Sequence, residues 1–165
     1  MRHNNTTEVH IGTFMVESGN LSIKDPCYER GYECAAKNGI WTAYVTRDEY
    51  RVYSLEAYIE DTNVTEQVVE EAGVDSGQMG IYDLDKSRDT SDTDYDRICN
   101  ITLGAGRSGI IGRYGVVSST AYGDGTYPVS VKKSASTGAI VYVRIDFDPA
   151  EYEDYYDEDG TFLLR

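Results

Sequence analysis

Apolar and polar positions alternate along most of this chain in short runs broken by glycine, asparagine and aspartate. A period of two is the pattern of strands with one buried face. The strongest runs lie in the C-terminal third. Residues 116–122 and 126–131 are rich in β-branched and aromatic side chains and flank Gly123-Asp124-Gly125. Such a break suits a hairpin, because glycine takes positive φ without strain and aspartate tolerates the left-handed region. Beyond Lys132 and Lys133, a second turn over residues 134–138 leads into residues 139–147, AIVYVRIDF. The pattern predicts a three-stranded C-terminal meander.

The same reading predicts hairpins at the N-terminus. Residues 9–16 and 21–23 flank Glu17-Ser18-Gly19-Asn20, and Asp25-Pro26 ends the second run, since proline removes a ladder donor. Residues 27–38 are polar and irregular. Residues 41–46 and 50–59 alternate as two further strands joined across Arg47-Asp48-Glu49. Asn63-Val64-Thr65-Glu66 has the form of a capping box, and Val64, Val68, Val69 and Ala72 follow at helical spacing up to Gly73, which predicts a short helix. Residues 74–83 read as a strand and 83–96 as an acidic loop entering a short helix near 95–102. Residues 103–115 form a glycine-rich loop, and 149–159 an acidic tail before Phe162-Leu163-Leu164. The expected class is α+β, mainly antiparallel β, with N-terminal hairpins, one or two short helices and the C-terminal meander, in a single domain over residues 1–165.

Composition changes this picture in two ways. The 165 residues include 15 Tyr against 3 Phe and 1 Trp, which suits half-buried strand faces and also binding surfaces. The formal net charge of −14 should repel nucleic acid and anionic membranes, so neither is expected as a direct partner. The charge is uneven. Between Arg97 and Arg144 six basic residues (Arg97, Arg107, Arg113, Lys132, Lys133, Arg144) face the single acid Asp124, a local net of +5. That segment is where an anion would be drawn. The polar start and the odd count of 3 Cys predict a cytoplasmic protein with reduced thiols.

Three stretches together resemble a family of small uncharacterised bacterial and bacteriophage domains, a domain of unknown function. They run from Ser18-Gly19 to Asp25-Pro26-Cys27-Tyr28, over Val74-Asp75-Ser76-Gly77-Gln78-Met79, and from Val116-Val117-Ser118-Ser119 to Tyr122-Gly123-Asp124-Gly125-Thr126-Tyr127. The resemblance covers most of the chain and its last stretch is the most specific. It implies a mixed, mainly antiparallel fold and a phage or bacterial origin, with no established activity and no catalytic residue.

Gly104-Ala105-Gly106-Arg107-Ser108-Gly109 matches G-x-G-x-x-G, but no helix follows and no parallel βαβ pattern surrounds it, which excludes a dinucleotide fold. A looser reading is an anion nest of backbone N–H groups charged by Arg107 and Arg113, set against a loop whose arginines pair with the excess acids. Asp92-x-Asp94-x-Asp96 opens like a calcium loop but has Arg97 and Leu103 where glycine and glutamate are needed, so a solvated acidic loop is the expectation. Cys27, Cys34 and Cys99 with His3 and His10 fit no zinc spacing. A nucleophilic Cys27 assisted by His10 would need the first hairpin to join them.

No metal, no cofactor and no catalytic residue is therefore expected. The function expected is a non-catalytic binding module for a small anionic, nucleotide-like ligand or a protein, as in a phage inhibitor or sequestering protein. Its site is drawn from Gly104, Gly106, Arg107, Gly109, Arg113, Tyr122, Asp124 and Tyr127. The alternatives are an acidic decoy for a basic nucleic-acid-handling protein, acting through residues 83–96 and 146–159, and a small carboxylate-dependent hydrolase or lyase.

Overall fold

The computed structural model describes residues 5–65, 68–88 and 92–148. Eleven strands and two helices appear among them: β1 (Thr7–Val16), β2 (Asn20–Lys24), β3 (Tyr32–Ala35), β4 (Gly39–Arg47), β5 (Val52–Tyr58), β6 (Val68–Val74), β7 (Gln78–Asp83), α1 (Leu84–Arg88), α2 (Asp92–Leu103), β8 (Ser108–Ile111), β9 (Gly115–Ser119), β10 (Gly125–Lys133) and β11 (Ile140–Asp146). They form a six-stranded sheet in the order β1-β4-β5-β11-β10-β6 and a five-stranded sheet in the order β3-β2-β7-β9-β8. Every pairing between named strands is antiparallel. The class is thus α+β and mainly antiparallel β, as the alternation predicts. Among the described residues no helix is long and apolar enough to cross a membrane.

The sheets enclose one core. Phe14, Trp41, Leu55, Val129, Val143 and Ile145 from the six-stranded sheet meet Leu21, Ile23, Met79, Ile81 and Val116 from the five-stranded one. Burying such side chains contributes about 1.5–3 kcal/mol each. A second, smaller cluster of Tyr82, Ile98, Ile111 and Val117 lies where α2 covers the other face of the five-stranded sheet.

Three predicted elements are corrected. First, β9 and β10 do not form a hairpin: β9 pairs with β7 and β8, β10 with β11 and β6. The Gly123-Asp124-Gly125 break carries the chain from one sheet to the other, and Gly123 at φ 80° supplies the bend. Only the second link of the meander, β10–β11, is a hairpin. Second, β1 and β2 likewise belong to different sheets, with Gly19 at φ 75° in the crossover. Third, the helix expected to end at Gly73 is strand β6, paired with β10 from Val68↔Val131 to Val74↔Gly125. Val68, Val69 and Val74 are β-branched, and an open edge of β10 satisfied their backbone better than an isolated helical turn.

The β4–β5 hairpin is present as expected. The irregular stretch after Cys27 contains the short edge strand β3, and the glycine-rich loop contains β8. Two helices occupy the acidic 83–96 stretch and its continuation. The expected acidic tail at 149–159 and Phe162-Leu163-Leu164 lie outside the described residues.

Candidate functional site

The eight residues picked from sequence fall into two separate groups. Gly104 and Arg107 make the turn between α2 and β8, where the Gly104 N–H donates to Ile101 O (3.1 Å) and the Arg107 N–H to Gly104 O (3.1 Å). The carbonyls of Gly106 and Ala105 instead accept from the Arg47 guanidinium at 3.0 and 3.4 Å. The turn therefore offers acceptors outward and keeps two of its donors inside, the reverse of an anion nest. Gly109 sits in β8, where a Cβ would meet Ile101 at 2.9 Å. Arg107 and Arg113 flank the four residues of β8, about 13 Å of strand. Neither guanidinium has an ion pair or hydrogen bond among the described residues, so the pairing with excess acids is also not seen.

Tyr122, Asp124 and Tyr127 belong to the β9–β10 crossover. Tyr122 is exposed, with the Arg51 guanidinium 5.1 Å from its ring centroid. The Tyr127 hydroxyl donates to Gly123 O (2.9 Å), and its ring meets Phe147 edge-on. Asp124 Oδ1 accepts from the Gly77 N–H at 3.0 Å.

That last bond belongs to a junction the sequence motifs share. Asp25, in the first motif, is fully buried and accepts from the N–H groups of Cys27 (2.8 Å), Asp75 (2.7 Å) and Ser76 (2.7 Å) and from Ser76 Oγ (2.5 Å). Gln78 Nε2 donates to Ser76 Oγ (3.1 Å), and Thr102 Oγ1 on α2 donates to Gln78 Oε1 (2.7 Å). Burial alone would raise the Asp25 carboxyl, but the Ser76 hydroxyl and the three backbone donors outweigh it and hold it below the usual carboxylate range. The junction is a saturated polar brace between β2, the β6–β7 turn, α2 and the β9–β10 crossover.

It is a poor place for covalent chemistry. Burial and the neighbouring Asp25 push the Cys27 thiol up to about 11, and burial pushes Cys34 up to about 12. Both stay protonated at neutral pH, and the thiolate is the nucleophile. His10 does not assist Cys27: it lies against Tyr44 of β4, with ring centroids 5.2 Å apart, because β1 and β2 are not a hairpin. Asp92, Asp94 and Asp96 fall in the first turns of α2, where alternate residues diverge around the axis, and Asp94 engages Arg97 and the Tyr114 hydroxyl. Among the described residues no group of three or more His, Cys, Asp or Glu could hold a metal ion.

An open site exists elsewhere. The 59–65 segment leaves β5 and crosses beside β10, where the Thr65 N–H donates to Lys133 O (2.8 Å) and Val64 bridges Ser134. Between this segment and the outer face of the six-stranded sheet lies a cavity of about 700 Å³, lined by Tyr58, Ile59, Glu60, Asp61, Lys132 and Tyr142 among others. Lys37 is held at its rim by Glu60 O (2.9 Å) and Asp61 Oδ2 (3.4 Å). The Asn63 N–H and Lys37 keep the Asp61 carboxyl below the usual range. Lys132 is different: its Nζ lies 4.6 Å from the Tyr142 ring centroid and has no carboxylate partner among the described residues. The Tyr142 hydroxyl donates to Glu56 Oε2 (2.5 Å), which fixes the ring beneath the ammonium. Burial and Glu56 push that phenol up, so it remains a donor. Next to it Tyr58 stacks on Tyr44, with centroids 5.9 Å apart and an interplanar angle of 2°.

Sequence reasoning missed this groove because its parts come from four separate stretches. The one signal was the basic segment: Lys132 lies in it, although the arginines were the expected ligands. No family model, curated protein or solved structure matches this chain.

Proposed function

We propose that this protein is a non-catalytic binding module, and that its ligand is a small anion carrying a planar ring, seated in the groove beside Lys132 and Tyr142. The observation that carries the reading is a lysine with no carboxylate partner among the described residues, held over a fixed aromatic ring at the mouth of a cavity. A volume of about 700 Å³ is in the range of small-molecule sites. The ammonium would meet the anionic group, and the tyrosine rings and Ile59 would flank the planar body. The protonated thiols and the saturated Asp25 support binding without turnover. The resemblance to bacterial and phage domains belongs to the same proposal; it implies no activity, and a phage inhibitor or sequestering protein is one form such a binding module would take.

The decoy alternative is less favoured, because Asp83, Asp146 and Asp148 are buried and Asp146 already accepts from Arg144 Nε (2.9 Å). Calorimetry with nucleoside monophosphates, an aromatic carboxylate and the matching neutral nucleoside tests the reading. The anions should bind, the neutral nucleoside about tenfold or more weakly, and Lys132→Ala should remove about one to two decades of affinity. Binding that Lys132→Ala leaves intact, or no binding by any anion, overturns it.

A further inference from the structure

β1 is an edge of the six-stranded sheet, and its two halves have different surroundings. Downstream of a bulge at Ile11, the Met15 N–H donates to Arg113 O (2.7 Å) and Gly12 lies against Ile110 at the edge of the other sheet. Upstream, residues 7–10 are exposed and, among the described residues, pair only with β4.

Which groups face outward can be counted along β4, whose alternation opposite β1 is unbroken. Because the Met15 N–H points away from β4, its partner Ile40 makes no ladder bond to β1. Trp41, Ala43 and Val45 do, opposite Phe14, Gly12 and Val9. Glu8 and His10, opposite Thr46 and Tyr44, therefore turn their N–H and C=O groups to the free edge. The Val9 side chain shares the core face with Trp41 and Ala43, yet it is 37% exposed, since no strand among the described residues covers that end of the sheet.

We propose that a second copy of this chain pairs at this edge, β1 against β1, antiparallel about a two-fold axis through Val9. The outward residues then form hydrogen-bonded pairs, Glu8 with His10 of the partner subunit and the reverse, giving four ladder bonds. The two Val9 side chains meet on the core face and shield each other. Charge selects this register from its neighbours. A shift by two residues one way sets Glu8 opposite its own copy, and like charges directly opposite destabilise a pair. A shift the other way runs into the bulge at Ile11. Charged edge residues normally block such pairing, but here each carboxylate meets an imidazole. The net charge of −14 opposes association and is screened beyond about 8 Å at physiological ionic strength. A small interface with these terms gives a weak dimer that forms with rising concentration.

Sedimentation over a concentration series up to about 1 mM, a range that reaches weak affinities, tests the proposal. Self-association should appear, Glu8→Lys should weaken it about tenfold, and adding His10→Glu to Glu8→Lys should restore it. His10→Pro removes an outward N–H that the monomer does not use, so it should abolish association while the circular dichroism is kept. Val9→Cys places two thiols on the axis and should give a covalent dimer under mild oxidation, beyond what the wild type gives through its own cysteines. A wild type that stays monomeric throughout, a Glu8→Lys variant that associates unchanged, or a Val9→Cys variant no more cross-linked than wild type overturns the proposal.

Discussion

The junction at Asp25 and the groove at Lys132 are both polar and built from several elements, yet they stand at opposite ends of one scale. At the junction each polar group has found a partner inside the protein: one carboxylate takes four donors, and the hydroxyl and amide beside it continue the chain to α2. At the groove a cation sits over a ring, with no carboxylate to neutralise it among the described residues. The three sequence motifs meet at the first place, and none of them reaches the second. A run of Asp, Ser, Gly and Cys can thus mark where loops are fastened rather than where a ligand binds. Fastening is needed because the chain changes sheets four times, after β1, β3, β6 and β9. The Asp25 junction ties the β6–β7 and β9–β10 crossovers, and Asp83 serves the β1–β2 crossover by accepting from the Glu17 (2.7 Å) and Ser18 (3.2 Å) N–H groups.

This contrast can be broken by measurement. The largest effect is expected for Asp25→Ala, which removes the buried acceptor of three half-buried backbone donors and the Ser76 hydroxyl and should lower stability by about 3–5 kcal/mol in urea unfolding. A loss under about 1 kcal/mol, the worth of one ordinary hydrogen bond, would mean that the junction is not a brace.

Acid gives the next test. The Asp25 carboxyl is held below its unfolded value of about 3.9, so its stabilisation is complete above that pH and is lost as pH falls through the folded value. Urea midpoints should decline below about pH 4, and less steeply in Asp25→Asn, which has no such proton to take up. Equal slopes in the two proteins would remove Asp25 from the account.

The chemistry of Cys27 sharpens the same point. With its thiol pushed up to about 11, alkylation by iodoacetamide at neutral pH should be more than about tenfold slower than for an ordinary thiol and should climb steadily with pH. Fast labelling at pH 7 would mean an activated nucleophile and reopen the catalytic alternative. The smallest effect on stability is expected at the groove: Lys132→Ala should change it by less than about 1 kcal/mol, the range of an exposed cation–π contact. A larger loss would assign Lys132 to the fold and weaken the binding proposal.

The fold class was legible because strand alternation is a local property. Each residue in β4, β5, β10 and β11 declares its face to its neighbours two positions away, and turn residues declare the breaks. Strand partners are not local. Nothing in residues 115–133 distinguishes a hairpin at Gly123 from a crossover; the choice depends on β7, which took β9, and on β6 and β11, which took β10. The valines of β6 fit a helical period as well as a strand, and only the open edge of β10 decided between them. Of the site, the sequence disclosed the sign of the charge near Lys132 and the abundance of tyrosine. Setting Lys132 over Tyr142, under a segment arriving from β5, required the register of the sheet and the path of residues 59–65, which only the packed structure determines.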